Sequence, residues 1–516
     1  MAKHQTNPFI AVFDFGTSSG RCLLIDQSGM VLASSQEAWK YERLKWEGKT
    51  LWSFDPAQYW SILASCCRKA LSTVGVNAAD AIGVIATSQR HGAVLIDSGG
   101  QAVEAIPNCD MRSTPRWEEK ANDNAQEIFD IACRWPQPIF LPAHLDWIRT
   151  HTPKKYDRIK KLLSILDWIV FCFCGEMVSE PTAAADLLVL DVEQRQWSRR
   201  LLDLFNVTPD WMPAIVPSGS VVGKLSRSSA VATGLPEGIP VLVGGADTQL
   251  GVLGLGCTQP NSVAIIMGSS VPLQMVSERP LRHVSAATWT NPHVISNQWV
   301  IESNAGDAGL HQNNVIEKIF ELNIRNKELF VDKRRLLIEL DSQIVQRRKT
   351  KKEHLLASLG PMVFNGRLWP QVNGVVTGID VFNLDYEFVD LYQALVDNIA
   401  YAIKGNFLQL REMTDSINDV RAGGGTMNSR MWQIFLPSVL GTSLRVPVEK
   451  EVTSLGAALL AFVSLGIFGS FSEATEAMIR WHTFDADQQE MEKQECRYKD
   501  WLKLYQLSIG QNNGTN

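Results

Sequence analysis

The stretch Asp14-Phe15-Gly16-Thr17-Ser18-Ser19-Gly20 stands between an apolar, β-prone run at 9–14 and a second one at 21–26. A further turn at 27–29 leads into a third short run at 31–34. Two turns within about 25 residues predict a three-stranded antiparallel meander. A tight hairpin of Gly, Ser and Thr turns backbone N–H and hydroxyl donors toward an anion without side-chain obstruction. Asp14, at the end of its strand, is placed to hold a hydrated Mg²⁺ beside that anion. A plain hairpin with a structural Asp fits the same residues.

Outward from the meander, Asp55 is an N-cap with Pro56 at the first helical position. Tyr59, Ile62, Leu63, Cys66 and Cys67 supply the stripe of a helix. Strand-like runs at 82–87 and 93–97 follow, an order that is mixed α/β and not a simple alternation. Near the midpoint the pattern restarts. A buried-strand run at 241–246 is followed by 262–267, the turn Gly268-Ser269-Ser270, a return run at 272–276 and another at 297–302. Each half therefore holds a strand, a small-residue turn and a return strand, the pattern of a duplicated domain. Residues 386–466 read as mostly helical around one glycine cluster, and the polar tail 511–516 as a frayed end.

The 516 residues, 45% hydrophobic and with 16 Trp, exclude intrinsic disorder and suffice for two to four domains. A net charge of −6 argues against nucleic-acid and membrane-surface binding, which require clustered positive charge. The nine Cys form no Cys-x-x-Cys pair, so they read as reduced thiols used as small hydrophobes in a cytoplasmic protein. The most apolar window, 162–174, is short for a spanning helix and contains Asp167. The basic stretch within 332–354, densest at 346–353, reads as a solvated helix-and-loop surface.

Common nucleotide motifs fail. Gly48-Lys49-Thr50 resembles the end of a P-loop, but the position of its first glycine holds Arg43, and Gly251, Gly254 and Gly256 do not make a dinucleotide fingerprint. Two other stretches carry chemistry. In Gly244-Gly245-Ala246-Asp247-Thr248-Gln249, an acid emerges from a buried strand behind small residues, where a general base can approach a hydroxyl. A helix N-cap at Asp247 fits equally well. In Gly423-Gly424-Gly425-Thr426-Met427-Asn428, consecutive glycines let backbone lie against a planar ring or a phosphate, or form a flexible loop before a helix.

Taken in order, Asp-x-Gly-Thr-Ser-Ser, Gly-Gly-x-Asp-x-Gln, Gly-Ser-Ser and Ala-Gly-Gly-Gly resemble the FGGY family of carbohydrate kinases over nearly the whole chain. The resemblance implies two actin-like, ribonuclease-H-type domains, mixed sheets flanked by helices, with the active site in the cleft between them. It divides the chain at 1–252 and 253–516. It implies transfer of the γ-phosphate of Mg·ATP to a hydroxyl of a small sugar, ketose, polyol or related linear polyhydroxy carbonyl compound. Asp14, Gly16, Thr17, Ser18 and Ser19 match the first phosphate motif, with Asp14 toward the metal, and Gly268, Ser269 and Ser270 match the second. Gly423, Gly424, Gly425 and Asn428 match the adenosine motif, and Asp247 the base. Gln89, Arg90 and His91 resemble the substrate loop of the xylulose kinases, with Asn108, Asp110 and Arg112 following; Gln249 joins this substrate set. His91 and Arg112 as a structural pair is the alternative there. Residues 291–295 and Asp110-x-Arg112 are similar to the autoinducer-2 kinase branch.

His144 stands as the basic residue ahead of Leu145-Asp146-Trp147, and 374–379 with 390–397 form a second signature with a longer spacer than usual. Family members are often dimers, so a homodimer is expected. The competing readings are an inactive or regulatory ATP-binding homologue of the same fold and a sugar-responsive transcription regulator. The second would need a basic helix-turn-helix ahead of the first hairpin.

Overall fold

Side chains of the first strand, β1 (Phe9–Phe15), alternate between two apolar faces, and every residue of it is buried. Phe9, Ala11, Phe13 and Phe15 pack with the helices α1 (Pro56–Leu71) and α2 (Ile165–Cys174). Ile10 and Val12 face the opposite way, onto α3 (Asp247–Gly254) and α7 (Val452–Ser464). A strand apolar on both sides belongs at the centre of a sheet covered on both faces, and β1 is there. The computed structural model describes residues 7–73, 75–309, 314, 333–350, 355–367, 374–379 and 386–510; the tail 511–516 and residues 332 and 351–354 of the basic stretch lie outside them.

The first sheet runs β5-β6-β4-β1-β2-β3, with β2 (Ser19–Asp26), β3 (Val31–Ala38), β4 (Ala81–Ser88), β5 (Val221–Lys224) and β6 (Pro240–Ala246). The expected meander β1-β2-β3 is antiparallel, and β4 and β6 extend it in parallel. The second sheet runs β9-β10-β8-β7-β11-β12-β13. Its strands are β7 (Ser262–Ile266), β8 (Pro272–Ser277), β9 (Trp289–Pro292), β10 (Trp299–Asn304), β11 (Asp419–Gly423), β12 (Leu444–Pro447) and β13 (Trp481–Phe484). Here β7, β8 and β10 repeat the antiparallel meander, and β11 and β12 repeat the parallel extension. The duplication reaches beyond two similar turns to the pairing of five strands in each sheet.

Between the sheets lie α3 and α7. Leu250, Leu253 and Leu455–Phe462 cover the first sheet, while Val252 and Val452 contact Ala264, Val276 and Val300 of the second. The two helices cross at glycine contacts: a Cβ on Gly254 would meet the Val452 carbonyl oxygen at 1.7 Å, and one on Gly456 the Leu250 oxygen at 1.9 Å. The far face of the second sheet is covered by α5 (Phe388–Arg411) and α6 (Arg430–Leu440). A smaller three-stranded sheet, Ala93–Ile96 with Ala102–Ile106 and Lys161–Ser164, carries its own core beside the first domain.

The boundary expected between 252 and 253 falls inside α3, and the strands change from one sheet to the other between Ala246 and Ser262. The apolar window splits into a short strand and α2, with Ser164 and Asp167 closing a capping box. Among the described residues no helix is long and apolar enough to cross a membrane.

The basic stretch departs from expectation. It forms α4 (Lys333–Thr350), but Arg347 pairs with Asp390 at 2.8 Å and with Glu387, and Arg348 pairs with Asp397 and lies 3.6 Å above the Phe435 ring. These arginines are held by carboxylates and an aromatic face of α5 and α6, so this part of the run is an internal seam and not a solvated surface.

Candidate active site

Parallel pairing brings the functional residues of the first domain to one edge. Asp14, Thr87 and Gly245 are register partners across β1, β4 and β6, as are Phe15, Ser88 and Ala246 one step further. Beyond that row emerge the turn at Gly16, the loop Gln89-Arg90-His91 and Asp247. Open α/β sheets bind ligands at this carboxyl edge. In the second sheet Ile266 pairs with Gly423, so the Gly268 turn and the glycine cluster emerge together in the same way.

Each hairpin is closed by a bond from the N–H of its first glycine to a serine carbonyl, over three residues in the first turn and two in the second. Gly16 N–H donates to Ser19 O at 3.0 Å, and Gly268 N–H to Ser270 O at 3.1 Å. Thr17, Ser18 and Ser269 are exposed at the tips. Asn108 fixes the Thr17 hydroxyl at 3.0 Å and Gln36 that of Ser19 at 2.7 Å. Behind the first hairpin, both close Arg21 contacts with Asp14, 2.7 Å from Nε and 2.6 Å from Nη2, fall on Oδ2. Arg21 also reaches Glu451 at the start of α7, joining the two halves. Asp14 with Oδ1 left over suits a metal that keeps most of its waters and takes its other ligands from phosphates. Among the described residues no group of three or more His, Cys, Asp or Glu forms a dedicated cage.

The glycine cluster sits against the second hairpin. Met267 N–H donates to Gly423 O at 2.7 Å, and Thr426 N–H to Met267 O at 3.2 Å. Gly424 has φ +102°, and a Cβ there would stand 2.6 Å from Met267 O, so a glycine is required. Gly268, Gly425, Thr426, Asn428, Trp432 and Lys450 line a cavity of about 440 Å³. Gly423, Gly424, Asn428, Lys450 and His482 line a neighbouring one of about 170 Å³. The second hairpin and the glycine cluster thus open onto shared space sized for a nucleotide. Lys450 and Trp432 belong to this wall, and no motif in the sequence marks them.

Asp247 is the first residue of α3, whose N-cap is Ala246, and its Oδ1 accepts the N–H of Thr248 at 2.8 Å. Burial pushes its carboxyl up to about 7; Arg90 opposes the shift, and Asp14 and Asp186 add to it. The backbone before it is pinned. Thr182 Oγ1 accepts Ala246 N–H at 2.8 Å and is itself held by Glu180, while Thr87 donates to Gly245 O at 2.9 Å. A Cβ on Gly244 would lie 1.8 Å from Ala86 O, which explains the glycine behind the acid.

Facing Asp247 is the Gln89–His91 loop. Arg90 makes a two-pronged pair with Glu302 of β10, Nη1–Oε2 2.5 Å and Nη2–Oε1 2.8 Å. Burial alone would raise the Glu302 carboxyl, but Arg90 and Gln274 hold it below its ordinary value. His91 adopts φ +64° and sets its ring edge-on to Phe140 and Trp289. Burial, with Arg90 and Arg134, holds its imidazole well below the usual range, so it is neutral. Gln89 and Gln249 are buried, with Gln89 Nε2 and Oε1 and Gln249 Nε2 making no hydrogen bond to protein.

Asp110 and Arg112, expected to face the acceptor, spend their polar atoms on each other and on the loop. Arg112 Nε and Nη2 grip Asp110 at 2.8 and 2.9 Å, and Nη1 takes Glu104 at 3.0 Å. Asp110 also accepts Trp52 N–H at 2.6 Å, and His144 contacts the Asp110 carbonyl at 3.2 Å. The suggested His91–Arg112 pair is not made: His91 looks toward Asp186, at 3.7 Å. Glu302, Arg134, Asp186 and Asn291 complete this wall without having been picked out as site residues in the sequence.

Residues 9–254 match the family model described as "FGGY family of carbohydrate kinases, N-terminal domain", and residues 263–465 the corresponding C-terminal domain. The chain is 28% identical over 515 residues to an autoinducer-2 kinase of Salmonella paratyphi A, covering 97% of this chain and 96% of the relative. Its fold matches a xylulose kinase from Rhodospirillum rubrum with a TM-score of 0.81 at 20% identity, over 96% of this chain and 98% of the other. A gluconate kinase from Lactobacillus acidophilus gives 0.81 at 16% identity, over 98% and 99%.

Proposed function

This chain belongs to the FGGY family of carbohydrate kinases, and from that premise we propose that Asp247 is the general base of its ATP-dependent phosphorylation of a small, linear polyhydroxy carbonyl compound or polyol. The observation that carries the reading is the Asp247 carboxyl itself. It stands at the edge where β1, β4 and β6 end, has one hydrogen bond among the described residues, and titrates near 7, where a base works best.

Phosphoryl transfer passes through a loose transition state, so the protein's work is positioning and charge compensation. Backbone N–H groups and hydroxyls of residues 16–19 and 268–270 hold the phosphates from two sides. Gly423, Gly424, Gly425 and Asn428 hold the adenosine. Asp14, through Oδ1, would hold the hydration shell of a Mg²⁺ ion bound with ATP, which would supply charge neutralisation at the phosphates. Gln89, Arg90, His91 and Gln249 orient the acceptor, whose hydroxyl gives its proton to Asp247. Asp110 and Arg112 shape the loop behind them. ATP use and free thiols at all nine cysteines suit a cytoplasmic setting.

The relatives are named an autoinducer-2 kinase and a xylulose kinase, and these names support a small sugar-like acceptor. The test is coupled ADP release with Mg·ATP against D-xylulose, xylitol, glycerol, D-fructose and dihydroxypentanedione. Acceptor-dependent turnover with at least one of them, together with slow ATP hydrolysis in their absence, is the expected result. ATP hydrolysis that ignores every acceptor would overturn the assignment.

A further inference from the structure

Arg134 and Asp186 form an ion pair inside the acceptor wall, and the phosphate machinery does not use it. Arg134 is 0% exposed, with Nη1 2.6 Å from Asp186 Oδ1. Its Nε reaches Asn291 Oδ1 at 2.9 Å, and its Nη2 reaches the same atom. Asp186 differs from its partner. It is buried, yet neither carboxylate oxygen receives an aligned hydrogen bond, and the same holds for His91 Nδ1 and Asn291 Nδ2. An ionised carboxylate offers about four acceptor sites, and the one ion pair with Arg134 leaves most of those on Asp186 unfilled in a buried setting, which is destabilising. Such a cluster is expected where a ligand completes it.

Its position agrees. Asp186 and Asp247 feel each other's charge, and Arg90 lies among Asp186, Asp247 and Glu302. The His91 backbone, in a conformation uncommon for a side-chain-bearing residue, aims the imidazole at Asp186, a form of strain that gathers at ligand sites. The charges in this wall also balance. Arg90 is matched by Glu302, Arg134 by Asp186, and His91 is neutral. No cation among these residues is left over to receive an anionic group, and Asp247, which has no matching cation, would repel one when ionised.

We propose that Asp186, held in place by Arg134, is a specificity-determining residue that accepts hydrogen bonds from hydroxyls of a neutral, polyhydroxylated acceptor and discriminates against sugar acids. The inference rests on the kinase reading above and adds the charge class of the substrate and the residue that sets it.

The full-length enzyme is assayed with Mg·ATP on D-xylulose, xylitol and dihydroxypentanedione as neutral probes and D-gluconate as the acid. The wild type should favour its best neutral probe over D-gluconate by about 100-fold or more in kcat/KM. Asp186→Asn should raise that probe's KM about 10- to 100-fold and narrow the margin over D-gluconate, with the KM for ATP unmoved. If Asp186→Asn fails to fold, Arg134→Gln/Asp186→Asn, which removes both charges together, carries the same test. An unchanged acceptor KM, or a wild type that prefers D-gluconate, would overturn the inference and leave the kinase reading intact. No turnover with any probe would overturn both.

Discussion

Arg90 and Glu302 are bound fork to fork across the two domains, one at the end of β4 and the other in β10, beside the base. Replacing Glu302 with Gln leaves Arg90 without its countercharge, so more of its field acts on Asp247. The acidic limb of the pH–kcat/KM profile should then move to lower pH. The melting temperature should fall as well, since removing one partner of a buried pair costs about 3–5 kcal/mol. A limb that stays in place would mean that Arg90 does not tune the base.

Asp247→Asn keeps the shape of the side chain and removes proton acceptance. General-base catalysis typically contributes about 10²- to 10⁴-fold, so kcat should fall within that range. The KM for ATP should stay close to wild type, because the nucleotide is held by the hairpins and the glycine cluster. Near-normal turnover in steady-state assays would remove Asp247 from the mechanism.

Activity and stability should run in opposite directions with pH. The base must be ionised, so kcat/KM should rise through about pH 7. Asp247 and Asp167 both titrate near 7 when folded, raised chiefly by burial from an ordinary value of 3.8. Between those values the folded state binds more protons than the unfolded one, so stability falls as pH rises. Asp247→Asn should therefore melt higher than wild type at about pH 8 and close to it at about pH 4, near the lower value, as calorimetry can check. The same tension between a working site and a stable one is general in enzymes.

The nucleotide wall gives a separable phenotype. Lys450→Ala should raise the KM for ATP about tenfold, the scale of one charge-assisted contact, and leave the acceptor KM alone. Gly424→Ala should weaken ATP binding further, because its Cβ meets the Met267 carbonyl at a φ of +102°. Calorimetry of ATP binding distinguishes these variants from those in the acceptor wall.

Asp110→Ala tests whether this residue builds the loop or touches the acceptor. With Arg112 and the Trp52 N–H losing their partner, the melting temperature should fall markedly, the consequence of an uncompensated buried arginine. Acceptor KM should change less than in Asp186→Asn. The reverse order would place Asp110 in direct contact with the acceptor.

What could be read from the sequence was whatever depends on neighbours in the chain. The hairpin at 16–19, the strand ending in Asp247 and the glycine cluster each combine a local backbone need with a local chemical one, so a short window carries the signal. The acceptor wall does not work that way. Residues 134, 186, 291 and 302 come from separate elements, and only the packing of β9 and β10 against the first domain brings them together. Charge misled for the same reason. Arg347 and Arg348 look solvated in a run of basic residues, but their partners lie on helices 40 or more residues away. Asp110 and Arg112 were legible as members of the substrate set but not as a closed pair, since saturation of their polar atoms depends on Trp52 and Glu104.

Gly254 and Gly456 allow two helices to touch backbone to backbone, and Asp247 lies at the other end of one of them. Eight residues of helix make an arm of about 12 Å. A rotation of about 15° about the glycine contact would carry the acid some 3 Å, more than the tolerance of proton transfer. Thr453 of the second helix also reaches the Asp247 carbonyl at 3.3 Å, so a change in the angle between the sheets at this crossing would be felt at the base. An enzyme whose acceptor sets that angle would leave ATP untouched by water until the right hydroxyl arrives.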